Sequence, residues 1–421
     1  VLHNSVLLPL ISGNIEGMMN YTHFFEERLQ HLKAESRYRV FAQLERLVGQ
    51  APYALWHGSH GHKEKIIVWC SNDYLGMSHH PTVVDAFVDG AKAYGVGSGG
   101  TRNISGTCHQ HVLLEQTLAD LHNKEAALIF NSGYTANEAT LCALGAHLPN
   151  CVFFSDEKNH ASMIQGIRHS QAEKYVFSHN NMLDLKKRLQ DVPSDRPKII
   201  ACVSVYSMDG HIAPLADICE LAQQNNALIF LDEVHAVGIY GPKGNGVAAQ
   251  LGLQDSIHII QANFAKAYGV IGGYIAAQSA LVDFVRSYAS GFIFTTSIPP
   301  AVAMAARASV DVLKESSILR QKLWNNVAYM KQCLEKTPVC FEKNSSHIIP
   351  ILVHDAESCL HLSQELLKNG HYLQPINYPT VPRGQERLRL TVTPQHTQEM
   401  MDSLATTLGA LWAKLGLKKA A

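Results

Sequence analysis

Between residues 73 and 300 the sequence alternates short apolar runs with amphipathic stretches, and this alternation constrains the fold more than any other feature. The runs AALIF (126–130), CVFFS (151–155), KIIACVSV (198–205), NALIFLD (226–232) and IHIIQA (257–262) are continuous, without period-two alternation. A strand with no polar face is buried on both sides, and the links between these runs carry amphipathic patterns that suit crossover helices. The expected fold is α/β, a mostly parallel central sheet flanked by helices. Ligands in such sheets sit beyond the carboxyl ends of the strands, so chemistry is expected in the residues that follow each run.

On either side of this block the pattern changes. Residues 20–68 read as a helix followed by a short β-like arm, and one long helical region is expected from Pro299-Pro300 to about Lys336. The last hundred residues mix a strand, HIIPILV, with helices near 358–368 and 400–415, as in a smaller α+β C-terminal domain. The expected division is 1–68, 69–309 and 310–421. Residues 1–17, ahead of Met18 and Met19, read as a poorly ordered extension. Of the 421 residues, 17% are charged and the net charge is -1, so no basic field exists for nucleic acid or an anionic membrane. The apolar part of VLHNSVLLPLISG is too short for a membrane span. Nine cysteines without a CxxC pair read as reduced thiols, so a cytoplasmic location is expected.

Two residues at run ends carry the chemical argument. Asp232 closes NALIFLD, with His235 three residues on, before the turn GPKGNG. Lys266 follows the next run in NFAKAYGVIGGY, flanked by small and apolar residues that favour a desolvated amine able to form a Schiff base. Alone, a strand-end Asp is usually structural and a lone Lys usually solvated. Together they match what pyridoxal 5'-phosphate requires: an amine for the imine, an acid beside the pyridine nitrogen, and donors for the phosphate. His235 can serve the phenolic oxygen, and NSGY (131–134), ahead of an expected helix, offers backbone N–H groups to the phosphate.

The longer blocks SRYRVF, VWCSNDYLGM, GSGGTRNISGT, LHNKEAALIFNSGY, NHASMIQGIRHS, VYSMDG, LDEVHAVGIYGPKGNGVA, SGFIFTTSIPP and QPINYPTVPRGQERLRLT resemble the α-oxoamine synthase family. These are pyridoxal-phosphate enzymes of fold type I, and the likeness runs from about Phe24 to Trp412. It implies Lys266 as the cofactor lysine, Asp232 at the pyridine nitrogen, Ser207 and His235 at the phenolic oxygen, and His160 stacked on the ring. It places the phosphate on Ser132, Gly133 and Tyr134, with Thr295 and Thr296 reaching over from a second subunit, which implies a homodimer with shared active sites. Arg389, aided by Asn72, would hold glycine's carboxylate. Arg39 with Thr101, Asn103 and Ile104 would meet the carboxylate of succinyl-CoA, with Lys174 and Thr380 as further substrate contacts. The implied reaction condenses glycine with succinyl-CoA and releases CoA and carbon dioxide to give 5-aminolevulinate, for tetrapyrrole (haem) or secondary metabolism. The segment 377–385 would be a lid.

Three positions depart from the family pattern. Asn263 stands where a Thr usually binds the phosphate, and Val203 and His211 each replace a usual acid. A related synthase acting on another acyl-CoA or amino acid, or a non-catalytic paralogue, therefore stays open at this point. So does a plain pairing of Arg39 with Glu35.

Overall fold

A computed structural model of the chain describes residues 19–58 and 61–418, so the extension expected at 1–17 lies outside the described residues. Seven strands make the central sheet: β1 (Ala126–Phe130), β2 (Val152–Asp156), β3 (Glu173–Phe177), β4 (Lys198–Val203), β5 (Ala227–Asp232), β6 (Ile259–Asn263) and β7 (Gly273–Ala277). Their spatial order is β1-β7-β6-β5-β4-β2-β3. The row from β3 to β6 is parallel, and β7 runs antiparallel to both of its neighbours.

The five continuous apolar runs are β1, β2, β4, β5 and β6, to within two residues. Every residue of β2, β4 and β6 is buried, as a two-sided layer of helices demands. Two strands have no such signature. β3 is the edge strand, exposed or half-exposed until Phe177, so it carries no apolar run. β7 is built largely of small residues because it is pressed against a helix start. A Cβ on Gly273 would stand 2.5 Å from the backbone nitrogen of Gly133. That clearance lets the helix Gly133–His147, capped by the Ser132 hydroxyl on the Thr135 N–H at 3.0 Å, begin directly over the sheet.

The N-terminal arm is the helix Tyr21–Ala34 and three antiparallel strands, Gln43–Glu45, Tyr53–His57 and Lys63–Val68. His371–Tyr372, from the C-terminal region, adds a fourth strand parallel to Lys63–Val68, so the arm and that region share one sheet. The long helical region after Pro299 is two helices, Pro300–Glu315 and Ile318–Glu335, broken at Ser316 and Ser317. The first belongs with the large unit, where buried Ser309 donates to the Tyr268 carbonyl at 2.8 Å. A boundary drawn at 309–310 therefore cuts through a helix. The C-terminal sheet pairs Ile348–Leu352, Arg387–Thr391 and Pro375–Ile376. Its fully buried strand Arg387–Thr391 lowers two arginines onto the segment 207–209. Among the described residues no helix is long and apolar enough to cross a membrane.

Candidate active site

Strands β2, β4, β5 and β6 end side by side at Asp156, Val203, Asp232 and Asn263, and the residues just beyond them line one pocket. Lys266, His235, Ser207 and His160 face it, with Gly133 and Tyr134 from the helix start. Asp232 is 3% exposed, yet both oxygens are satisfied: Oδ1 accepts from the Val234 N–H at 2.9 Å and Oδ2 from Asn137 Nδ2 at 2.8 Å. The same Asn137 amide donates to Ser162 Oγ at 3.0 Å, which leaves that hydroxyl's proton for His160 Nδ1, 2.7 Å away. Burial lowers the pKa of His160, so its ring is neutral and Nε2 carries the N–H.

His235 is fixed in the same way by Tyr74. The phenol oxygen accepts from Arg389 Nη2 at 2.6 Å and has one proton to give. His235 Nδ1 is 2.7 Å from it and Asn72 Oδ1 is 3.3 Å, so the proton goes to the histidine. Burial, with Lys266 and Arg389 nearby, holds the His235 pKa well below the usual imidazole range. His235 is then neutral, with Nε2 as its donor.

Arg389 is 6% exposed and forms no ion pair with an acid among the described residues. Its Nε donates to the Ser207 carbonyl at 2.6 Å, one Nη to Asn72 Oδ1 at 3.0 Å and the other to Tyr74. A guanidinium has about five N–H donors, so one remains on each terminal nitrogen, a fork shaped for a carboxylate.

Desolvation lowers the Lys266 amine from 10.5 to about 8, against the raising effect of Asp232. Only a neutral amine attacks an aldehyde. Uptake of pyridoxal phosphate by cofactor-free protein, followed by stopped-flow absorbance, should accelerate about tenfold per pH unit below pH 8 and level off above it. A rise continuing to pH 10 would contradict this environment.

The other expected residues are dispersed. Arg39 donates to Thr380 Oγ1 at 3.1 Å in a cleft of about 620 Å³ between the arm and the C-terminal region. It does not pair with Glu35, whose carboxylate binds Arg37 and Arg383. Thr101, Asn103 and Ile104 lie elsewhere, on a loop joined to Thr296 by a bridge at Thr101 and to Ser297 through the Gly106 carbonyl at 2.7 Å. Neither that loop nor Thr295 and Thr296 lines the Lys266 pocket or the Arg39 cleft within one chain. Ser132 spends its hydroxyl on its helix cap. Lys174 is exposed, second in β3, near the strand's amino end, and lines neither the Lys266 pocket nor the Arg39 cleft within one chain. Asn263 and Val203 both line the pocket, and Asn263 Oδ1 is buried without a partner. Asn137, Ser162 and Tyr74 were not foreseen. They act on the expected residues from positions that no spacing marks.

Residues 64–408 match the family described as aminotransferase class I and II. A 5-aminolevulinate synthase of Bradyrhizobium diazoefficiens is 50% identical over 400 residues, covering 95% of this chain and 98% of the relative. One from Rhizobium meliloti is 49% identical over 403 residues, covering 96% and 100%. Among solved structures, a variant of serine palmitoyltransferase from S. paucimobilis with a bound PLP–myriocin aldimine superposes with a TM-score of 0.87 at 28% identity, covering 95% of this chain and 100% of that one. Fold and match together define a pyridoxal-phosphate enzyme of the class I and II aminotransferase type. Within that class, the chain belongs to the 5-aminolevulinate synthase family.

Proposed function

We infer that this chain condenses glycine with succinyl-CoA, releasing CoA and carbon dioxide and giving 5-aminolevulinate. The observation that carries the reading is the buried Arg389 fork, unpaired with any acid among the described residues, next to a pocket that holds Lys266, Asp232 and His235. The pocket fits pyridoxal phosphate: a low-pKa amine, a strand-end carboxylate, a helix N-terminus, and an Asn263 amide with a buried oxygen still unpartnered.

When bound, the cofactor supplies the electron sink that makes a glycine α-proton acidic. Lys266 would hold it, and its amine, lowered by burial to about 8 in the unmodified chain, would be the base for that proton. Asp232, locked by Asn137 and the Val234 N–H, would stand at the ring nitrogen. His235 Nε2–H would serve the phenolic oxygen, together with Ser207. His160 would cover the ring face, with its Nε2–H, set by the Ser162 bond to Nδ1, free to donate to the thioester oxygen as negative charge develops there. Arg389 and Asn72 orient glycine by its carboxylate.

Arg39 is the reading's handle on the acyl donor. Its only hydrogen-bond partner among the described residues is the neutral Thr380, which leaves its charge for the succinyl carboxylate. Coenzyme A release should be measured with succinyl-, butyryl-, octanoyl- and acetyl-CoA against glycine, alanine and serine. Arg39→Leu should lower kcat/KM for succinyl-CoA by roughly 10- to 100-fold and leave butyryl-CoA nearly unchanged. An equal loss on both donors would assign Arg39 a structural task instead, and preference for another donor or amino acid would point to a related synthase.

The shared-site homodimer rests on surfaces that one chain leaves open. The helix Tyr21–Ala34 buries none of its residues, and Phe41, Val96, Ile104 and Phe294 are all at least 70% exposed. The separation of the 101–107 loop from Arg39 supports the same reading, since a second copy would be needed to bring them together. Asn263→Thr is expected to tighten pyridoxal phosphate by about 3- to 10-fold, because it removes the orphaned carbonyl oxygen and supplies a hydroxyl donor. Equilibrium dialysis measures it, and weaker binding would mean that the asparagine amide is the better phosphate donor.

A further inference from the structure

Behind the active-site segments, two imidazoles face each other with their outer nitrogens both held by acids. His179 Nδ1 is 2.9 Å from Asp156 Oδ1, and His211 Nε2 is 3.4 Å from Glu342 Oε1. Their inner nitrogens, His179 Nε2 and His211 Nδ1, are 2.9 Å apart. Asp156 only accepts, so neutral His179 donates from Nδ1 and its Nε2 is a lone pair; when His211 likewise donates to Glu342, its Nδ1 is a second lone pair. Two lone pairs at this distance repel unless a cation lies between them. Asp209 adds an oxygen within 4.8 Å of both rings.

We propose that His179, His211 and Asp209 form a binding site for a divalent transition-metal ion of the zinc type. Carboxylates hydrogen-bonded to the far nitrogens are the arrangement that orients and strengthens histidine ligands. Two nitrogens on a tetrahedral zinc, each at about 2.0–2.1 Å, stand about 3.3 Å apart, so the rings need to part by only a few tenths of an ångström. The local charge also calls for a cation. Asp156, Asp209 and Glu342 face Lys158 and Arg387, leaving one net negative charge while both imidazoles are neutral. Asp209 is held by Arg387 and, at 2.8 Å, by Lys158. Lys158 is the partner that yields, since its side chain is one-third exposed while that of Arg387 is buried. His211, also one-third exposed, gives the ion its way in.

His211 is one of the positions where the chain departs from the α-oxoamine synthase pattern by replacing an acid. The site also joins the turn that carries Ser207 to Glu342 and Arg387 of the C-terminal region, so an ion there braces the two units.

The experiment titrates zinc into metal-stripped, pyridoxal-phosphate-loaded enzyme by calorimetry near pH 7.5, and repeats the titration with cobalt to read the ligands from the visible spectrum. One ion per chain is expected, with a dissociation constant on the order of micromolar. The cobalt spectrum should lack a thiolate charge-transfer band, which separates this site from the nine cysteines. His211→Gln should weaken binding at least tenfold and abolish the zinc-induced rise in Tm, while leaving Tm without metal unchanged. No saturable binding up to roughly 100 µM, or equal binding by His211→Gln, would overturn the proposal and leave a shared proton between the rings.

Discussion

Lys266→Ala is expected to lower the rate of CoA release by roughly ten-thousand-fold or more, and to erase the absorbance band of lysine-bound cofactor. The size of the loss follows from the pocket. The one other lysine that lines it, Lys158, follows β2 rather than β6 and has its amine on Asp209 at 2.8 Å instead of at the Lys266 position. Nor would misfolding explain the result. Burial disfavours the charged amine, so its removal relieves a desolvation cost, and Tm should be unchanged or higher. Steady-state assays beside thermal unfolding of the same samples make the test. Activity above about a hundredth of wild type, with the fold intact, would remove Lys266 from the chemistry.

Asp232 and Lys266 were legible in the sequence because a parallel sheet announces its carboxyl ends: a buried strand is a continuous apolar run, and the polar residues at its end and in the few positions beyond border the cleft. β3 and β7 were hidden for opposite reasons. Solvent on the edge strand removes the apolar run, and the close packing of Gly273 on Gly133 removes the bulky residues that would mark a strand. The supporting atoms of the site were harder still. Asn137 reaches Asp232 across 95 residues, Tyr74 reaches His235 across 161, and Arg389 reaches Tyr74 across 315. Such bonds are made by chain topology, and no local pattern encodes them. Lys174 has no local signal of this kind either: it lies exposed on the edge strand, and only the family likeness singles it out.

Arg389→Lys should lower kcat/KM for glycine by about a hundredfold, roughly 3 kcal/mol, while pyridoxal phosphate uptake stays near wild type. The guanidinium does two things at once that an ammonium cannot. Three of its N–H groups are committed to Ser207, Asn72 and Tyr74, and the remaining pair projects as a planar fork. Lysine keeps the charge but has three donors in all, so it must leave either the scaffold or the substrate underbonded. A second signature follows from Tyr74. Without the Nη2 donor at 2.6 Å, the phenol loses the contact that assigns its own proton to His235 Nδ1, and the histidine is free to change tautomer. The spectrum of the bound cofactor, sensitive to the donor at its phenolic oxygen, should therefore shift in Arg389→Lys even without glycine. A glycine defect with an unaltered spectrum would confine Arg389 to carboxylate binding. A spectral shift with normal glycine kinetics would overturn its assignment as the carboxylate fork.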